Sequence, residues 1–179
     1  MVDKMKDNFD LSNLRKKPKR KNSRAKGAAF ENKVAKILND RFNTSEFSRT
    51  PGSGAFATTH KLPDHLKLYG DLITPQNFRF IIECKKGYNE QGLHSLLDYD
   101  SKIWEWVSTM ERDAHAAQKS PILLMAQDRK PIVCILEFDK SLGDTSNPYS
   151  ILHGERKTYM MLYLDDLLTQ PDHFFLQAA

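Results

Sequence analysis

At 179 residues and 20.6 kDa, the chain is long enough for one domain with a sizeable core and short for two. Hydrophobic residues make up 40% and charged residues 28%, with a mean hydropathy of −0.59, which excludes a mostly disordered chain, and no apolar run approaches the roughly 20 residues of a membrane span. The net charge of +4 conceals an asymmetry: residues 1–26 hold ten Lys/Arg against three Asp, whereas residues 27–179 hold seventeen against twenty acids.

The N-terminal 26 residues have no hydrophobic periodicity and contain the run Arg15, Lys16, Lys17, Pro18, Lys19, Arg20, Lys21. They are expected to be a disordered basic arm that binds a polyanion, or else a solubilising tail or targeting peptide. Without an apolar stretch this N-terminus does not read as a secretory signal, so a cytoplasmic protein, or one in a host's cytoplasm, is expected. Cys84 and Cys134 are far apart with no CxxC spacing, which predicts reduced thiols.

Residues 27–179 read as a single domain. Phe30, Val34, Ile37 and Leu38 form the stripe of an amphipathic helix running to Phe42, with Glu31 at the edge of the stripe. Residues 47–50 follow as a short strand, and Pro51, Gly52, Ser53 and Gly54 as a loop whose glycines permit close backbone approach. Residues 71–74 and 77–84 are two apolar segments joined at Pro75 and Gln76, which predicts a hairpin with a tight turn. Ile103, Val107, Met110, Ala114 and Ala117 repeat with helical period, predicting a helix over 98–118 that Pro121 terminates. Trp106 falls near its apolar stripe and Trp104 does not, so Trp104 is expected either as a dimer or DNA contact or tucked under a loop. The continuous apolar runs 122–126 and 132–138 flank the turn 127–130 and read as buried strands. A third run, 159–164, precedes a short helix with Asp165 as its N-cap. This order predicts an α/β protein with a mixed central sheet flanked by helices.

The chemistry concentrates in the predicted hairpin. Side chains alternate along a strand, so Glu83 and Lys85 share one face about 6.6 Å apart while Cys84 turns to the other. Asp71 opens the partner strand and reaches the same patch. Two converging carboxylates make an oxygen-rich site suited to Mg²⁺ or Mn²⁺ rather than zinc. An E-x-K triplet alone is common, but here Phe80, Ile81 and Ile82 lead directly into it, and a buried strand rarely ends on an unpaired acid and base. The bland alternative is a solvated ion-pair network. His60 and His65 lie five apart, a spacing that suits neither a helix face nor a strand face for metal binding.

These residues resemble the PD-(D/E)XK nucleases, with Asp71 as the motif's Asp and Glu83, Cys84, Lys85 as its (D/E)XK. The wider set Gly27-Ala28-Ala29-Phe30-Glu31, Arg49-Thr50-Pro51-Gly52-Ser53-Gly54-Ala55, Asp71 and Glu83-Cys84-Lys85 is similar to the ordered motifs of archaeal-type Holliday junction resolvases and their phage relatives, over roughly residues 26–126. The resemblance implies a restriction endonuclease-like core and a homodimer that hydrolyses DNA phosphodiesters by paired incisions at a four-way junction, in recombination or repair. It implies a Mg²⁺ cofactor, with Mn²⁺ as substitute, held by Asp71, Glu83, the Cys84 carbonyl and Glu31. Lys85 would orient or deprotonate the attacking water, and Arg49 and Ser53 would contact the scissile region. Beside these, Arg15, Lys16, Lys17, Lys19, Arg20 and Lys21 are the DNA-binding candidates of the arm. A restriction, repair or nicking nuclease of the same class, or a non-catalytic nucleic-acid-binding module, are the alternatives. The family usually places Pro before the hairpin Asp, whereas here Gly70 precedes Asp71 and Pro63-Asp64 lies seven residues earlier, which makes Asp64 a rival ligand; Asp71 is preferred because Leu72 and Ile73 continue it as a strand, whereas His65, Leu66 and Lys67 do so weakly.

Overall fold

The computed structural model describes residues 23–51, 69–142 and 148–177. In chain order the elements are α1 (Ser23–Phe42), β1 (Ser48–Arg49), β2 (Leu72–Ile73), β3 (Phe80–Lys86), α2 (Leu93–Leu97), α3 (Lys102–Ala117), β4 (Ser120–Ala126), β5 (Ile132–Glu137), a 3₁₀ turn (Lys140–Leu142), β6 (Ser150–His153), β7 (Thr158–Tyr163), α4 (Leu164–Leu167) and α5 (Asp172–Phe175). Five strands form one sheet in the order β3-β4-β5-β7-β6. The β3–β4 pair is parallel and the other pairs are antiparallel, so the sheet is mixed, as the order of elements predicts. A parallel pair needs a crossover, and α2 and α3 supply it.

Alternation along the strands sends two sets of side chains to opposite faces. Phe80, Ile82, Cys84, Ile122, Leu124, Cys134, Leu136, Met160 and Leu162 pack with Phe30, Val34 and Leu38 of α1. Leu123, Ile135 and Tyr159 pack with Ile103, Trp104, Val107 and Met110 of α3 on the other face. The result is a three-layer α/β/α arrangement. Among the described residues no helix is long and apolar enough to cross a membrane.

Several elements differ from their sequence-based expectation. Helix α1 begins at Ser23, taking Arg24 and Lys26 of the expected arm into regular structure. The tight hairpin is not formed: β2 pairs antiparallel with β1, Arg49 opposite Leu72 and Ser48 opposite Ile73, and meets β3 through the Asp71 N–H, which donates to the Ile82 carbonyl at 2.8 Å. The cause lies in Phe78, which is buried with its ring 5.0 Å from Phe47 and 5.8 Å from Phe42. The amide of Arg79 donates to the Phe175 carbonyl at 2.7 Å. Burying a phenylalanine in this aromatic cluster stabilises by roughly 1.5–3 kcal/mol, more than a two-residue turn contributes.

Helix α3 starts at Lys102 rather than 98, because residues 93–97 form a separate short helix and Ser101 caps the long one. It ends before Pro121: Gln118 adopts the left-handed conformation (φ 54°) and its N–H reaches the carbonyls of Ala114 and His115. Pro121 instead lies within β4. Trp104 is not a surface contact. It is only 7% exposed, its Nε1 donates to the Leu96 carbonyl at 3.2 Å, and its ring lies 5.7 Å from Tyr159 and 5.6 Å from Tyr99. A helical wheel places Trp104 off the stripe, but α2 and β7 cover that flank as well. The N-cap of α4 is Tyr163, and Asp165 and Asp166 occupy its first turn, where their charge complements the helix dipole. Strand β6 and helices α2 and α5 carry no signal that sequence reading detected.

Candidate active site

The site forms where β3 emerges from the core. Ile81 is buried, whereas Glu83 and Lys85, further along the same face, are partly exposed. The Lys85 ammonium is paired with the Glu83 carboxylate. Asp71 arrives from the other side, and its Oδ2 accepts the Cys84 N–H at 2.8 Å. Gly70 makes this approach possible. It has φ +75°, and a Cβ there would lie 2.7 Å from the Ile82 carbonyl oxygen, closer than any side chain tolerates. The glycine that replaces the family's proline is thus what lets Asp71 close onto β3.

Burial and, next, the charge of Glu83 push the Asp71 carboxyl up to about 7 from its ordinary 3.8, against the lowering effects of the Cys84 N–H and the Lys85 ammonium. Lys85 is held above its ordinary value: burial works against the charge, but the charge and hydrogen bond of Glu83, with Asp71, outweigh it. Lys85 is therefore an ammonium at neutral pH, a donor and a source of positive charge rather than a ready base. The Cys84 thiol points into the core beneath α1 and is pushed well above its ordinary value by burial, so its side chain is no ligand and only its carbonyl is available.

Helix α1 adds a second pair. Glu31 is 7% exposed and its Oε2 accepts a hydrogen bond from Arg49 Nε. Asn39 sets the position of Arg49: its amide donates to the Phe47 carbonyl at 2.8 Å and accepts the Phe47 N–H at 3.0 Å, pinning the chain that enters β1. The Thr50 N–H then donates to the Asp71 carbonyl at 2.9 Å, so Arg49 and Asp71 are held on adjoining backbone. The Thr50 hydroxyl is buried without a hydrogen-bond partner among the described residues. Ser53, the rival Asp64, His60, His65 and the basic run 15–21 lie outside the described residues.

Among the described residues no group of three or more His, Cys, Asp and Glu side chains is assembled tightly enough to hold a metal alone. Asp71 and Glu83 converge, while Glu31 is engaged with Arg49. The donors nevertheless fit a hard divalent cation. Burial and, next, the charge of Glu83 raise Asp71 to about 7, a cost that a cation relieves. Mg²⁺ keeps several waters and takes phosphate oxygens as ligands, so two carboxylates and a backbone carbonyl are a sufficient protein contribution.

The family model for "Phage putative PDDEXK endonuclease" matches residues 22–170. The chain belongs to this phage PDDEXK endonuclease family. The match contains Glu31, Arg49, Asp71, Glu83 and Lys85 and stops short of the basic run 15–21. Protein D14 of Escherichia phage T5 is 31% identical over 127 residues, which is 68% of this chain and 75% of that protein. No solved structure matches the chain. PD-(D/E)XK endonucleases typically use divalent metals, which agrees with the oxygen-only donor set between β2 and β3.

Sequence reading names Asp71, Glu83 and Lys85 as candidates and puts Glu31 at the edge of the α1 stripe. It misses Gly70 and Asn39 as positioning residues. A glycine immediately before a candidate ligand is the available signal for the first, and nothing in the local pattern distinguishes the second.

Proposed function

We propose that this chain is a Mg²⁺-dependent DNA endonuclease, with Mn²⁺ as a substitute, which acts as a homodimer on branched DNA and makes paired incisions at four-way junctions. The observation that carries the nuclease reading is the convergence of Asp71 and Glu83, with the Lys85 ammonium beside them, at the end of an otherwise buried strand. The ordered motif set from Gly27 to Lys85 supports the choice of junctions.

Asp71, Glu83 and the Cys84 carbonyl hold the cation. When bound, it supplies Lewis-acid polarisation of the phosphate and an acidified water. Lys85 donates to the attacked phosphate or the water and offsets the charge that develops on the phosphoryl oxygens. Glu31 orients Arg49, whose guanidinium faces a neighbouring phosphate. Ser53 extends that contact, and the basic run from Arg15 to Lys21 adds sequence-independent affinity through phosphate neutralisation. Two such sites related by a two-fold axis cut two strands across a branch.

The test is incubation of the protein and Mg²⁺ with a labelled four-way junction, a matched duplex and a single strand, with light scattering at micromolar concentration. Symmetric cuts in the junction by a dimer are expected. A monomer that treats duplex and junction alike leaves a nuclease of another specificity, and no cleavage of any DNA with Mg²⁺ or Mn²⁺ leaves a non-catalytic binding module.

A further inference from the structure

Beyond Lys85 the same sheet face opens into a cleft of about 340 Å³, bounded by residues 87–92, α3 and the ends of β4, β5 and β7. This volume lies near the lower end of the roughly 300–1,000 Å³ of small-molecule sites. Its walls include Tyr88, Trp106 and Tyr163, and Lys85 stands at the boundary between the cleft and the carboxylates, its Nζ 6.0 Å from the centroid of the Trp106 ring. Tyr88 meets Trp106 edge-on at 4.6 Å. Tyr88 and Tyr163 are 41% and 47% exposed, a large aromatic surface to leave in water unless something covers it.

The loop that carries Tyr88 holds a strained backbone conformation. Tyr88 has φ +34° and follows Gly87 at φ +105°. A bulky aromatic in the left-handed region is uncommon and persists only where surrounding structure over-determines it. Here the Gly87 N–H donates to the Ala126 carbonyl at 3.1 Å and Gln127 Nε2 donates to the Gln91 carbonyl at 2.7 Å, so the loop is fixed at both ends with Tyr88 displayed.

A flat aromatic group joined to a phosphate at the Lys85 end fits these walls. We propose that this cleft receives one unstacked nucleobase next to the phosphate held at the Asp71–Glu83 site. Bases stack on aromatic side chains regardless of identity. The cleft thus senses whether a base leaves its stack rather than which base it is. The proposal rests on the nuclease reading above and deepens it: a branch point, where stacking is already interrupted, supplies such a base more readily than a matched duplex.

The test is an abasic scan with the full chain. A single abasic residue is walked along one strand across the branch of a four-way junction, with binding measured in EDTA so that the DNA stays intact. One position is expected to weaken binding about tenfold, the scale of removing one base–aromatic stack. Tyr88→Ala and Tyr163→Ala are each expected to shrink that penalty several-fold, and Tyr88→Phe to preserve it. The proposal is overturned if no position shows a penalty, or if the penalty is undiminished in both Tyr88→Ala and Tyr163→Ala. Cleavage of the same DNAs in Mg²⁺ reports on the nuclease reading separately, since its absence leaves the scan able to decide the cleft.

Discussion

Asp71→Asn is expected to make the metal-free protein more stable and the enzyme inactive. Raising the carboxyl from 3.8 to about 7 corresponds to about 4 kcal/mol of penalty for carrying the charge in the folded state at pH 8, at 1.36 kcal/mol per pH unit. The amide removes that penalty and retains an oxygen for the Cys84 N–H, and the change of that bond from charge-assisted to neutral is already contained in the value of about 7. The gain is up to about 4 kcal/mol, or about 8–16 °C in Tm for a chain of this size. The sign against pH follows from a folded-state value above the unfolded one: protonation of Asp71 favours folding fully below pH 3.8 and the benefit is lost as pH rises through about 7. The advantage of the variant over wild type therefore shrinks as pH falls from 7 and vanishes near 4. Thermal melts in EDTA at pH 8, 6 and 4 measure it. With Mg²⁺ at about 100 times Kd, wild type gains about 2.7 kcal/mol by mass action, and the variant, lacking a ligand, gains little. Cleavage should fall at least a hundredfold. A variant that melts below wild type in EDTA at pH 8, or whose advantage is unchanged at pH 4, refutes the reasoning that burial and the charge of Glu83 make the Asp71 carboxylate costly in the folded state.

Lys85→Ala should reduce cleavage by about a hundredfold or more while leaving Mg²⁺ affinity within about threefold in a calorimetric titration, because an ammonium paired with Glu83 offsets phosphoryl charge and ligates no metal. Unchanged turnover would leave it as an ion-pair partner only. Removing residues 1–22, which carry eight Lys/Arg, should flatten the slope of log affinity against log salt by up to about 0.9 for each phosphate that the arm no longer neutralises, without altering which DNA form is preferred. An identical slope would show that the arm does not touch DNA. Gly70→Ala should cost about 2 kcal/mol or more, since the added Cβ would lie 2.7 Å from the Ile82 carbonyl oxygen at φ +75°. A Tm drop of about 4–8 °C or more with weakened cleavage is expected, and a neutral result would mean that this close approach does not position Asp71.

The periodicities of this chain determine a good deal by themselves. The stripe on α1, the long helix α3, and the buried runs of β4, β5 and β7 are legible because each is local: side-chain spacing of 3.6 or 2 declares which face is buried. The E-x-K triplet at the end of an apolar run is legible for the same reason, since a strand that ends on charge must place it at a rim. What only the tertiary structure decided is where separate segments meet. Local spacing assigns Asp71 to a hairpin with β3, but its strand pairs with β1 because Phe78 is drawn into an aromatic cluster with Phe42, Phe47 and Phe175, residues scattered along most of the sequence. Trp104 falls on the outer side of its own helix and is buried by α2 and β7. The Glu31–Arg49 pair and the cleft between Lys85, Tyr88 and Trp106 likewise join residues whose separation in sequence carries no periodic signal. Local sequence specifies which side of an element faces inward. Which other element it faces is settled by burial shared among distant apolar groups, and it is that shared burial which brings the carboxylates of this site together.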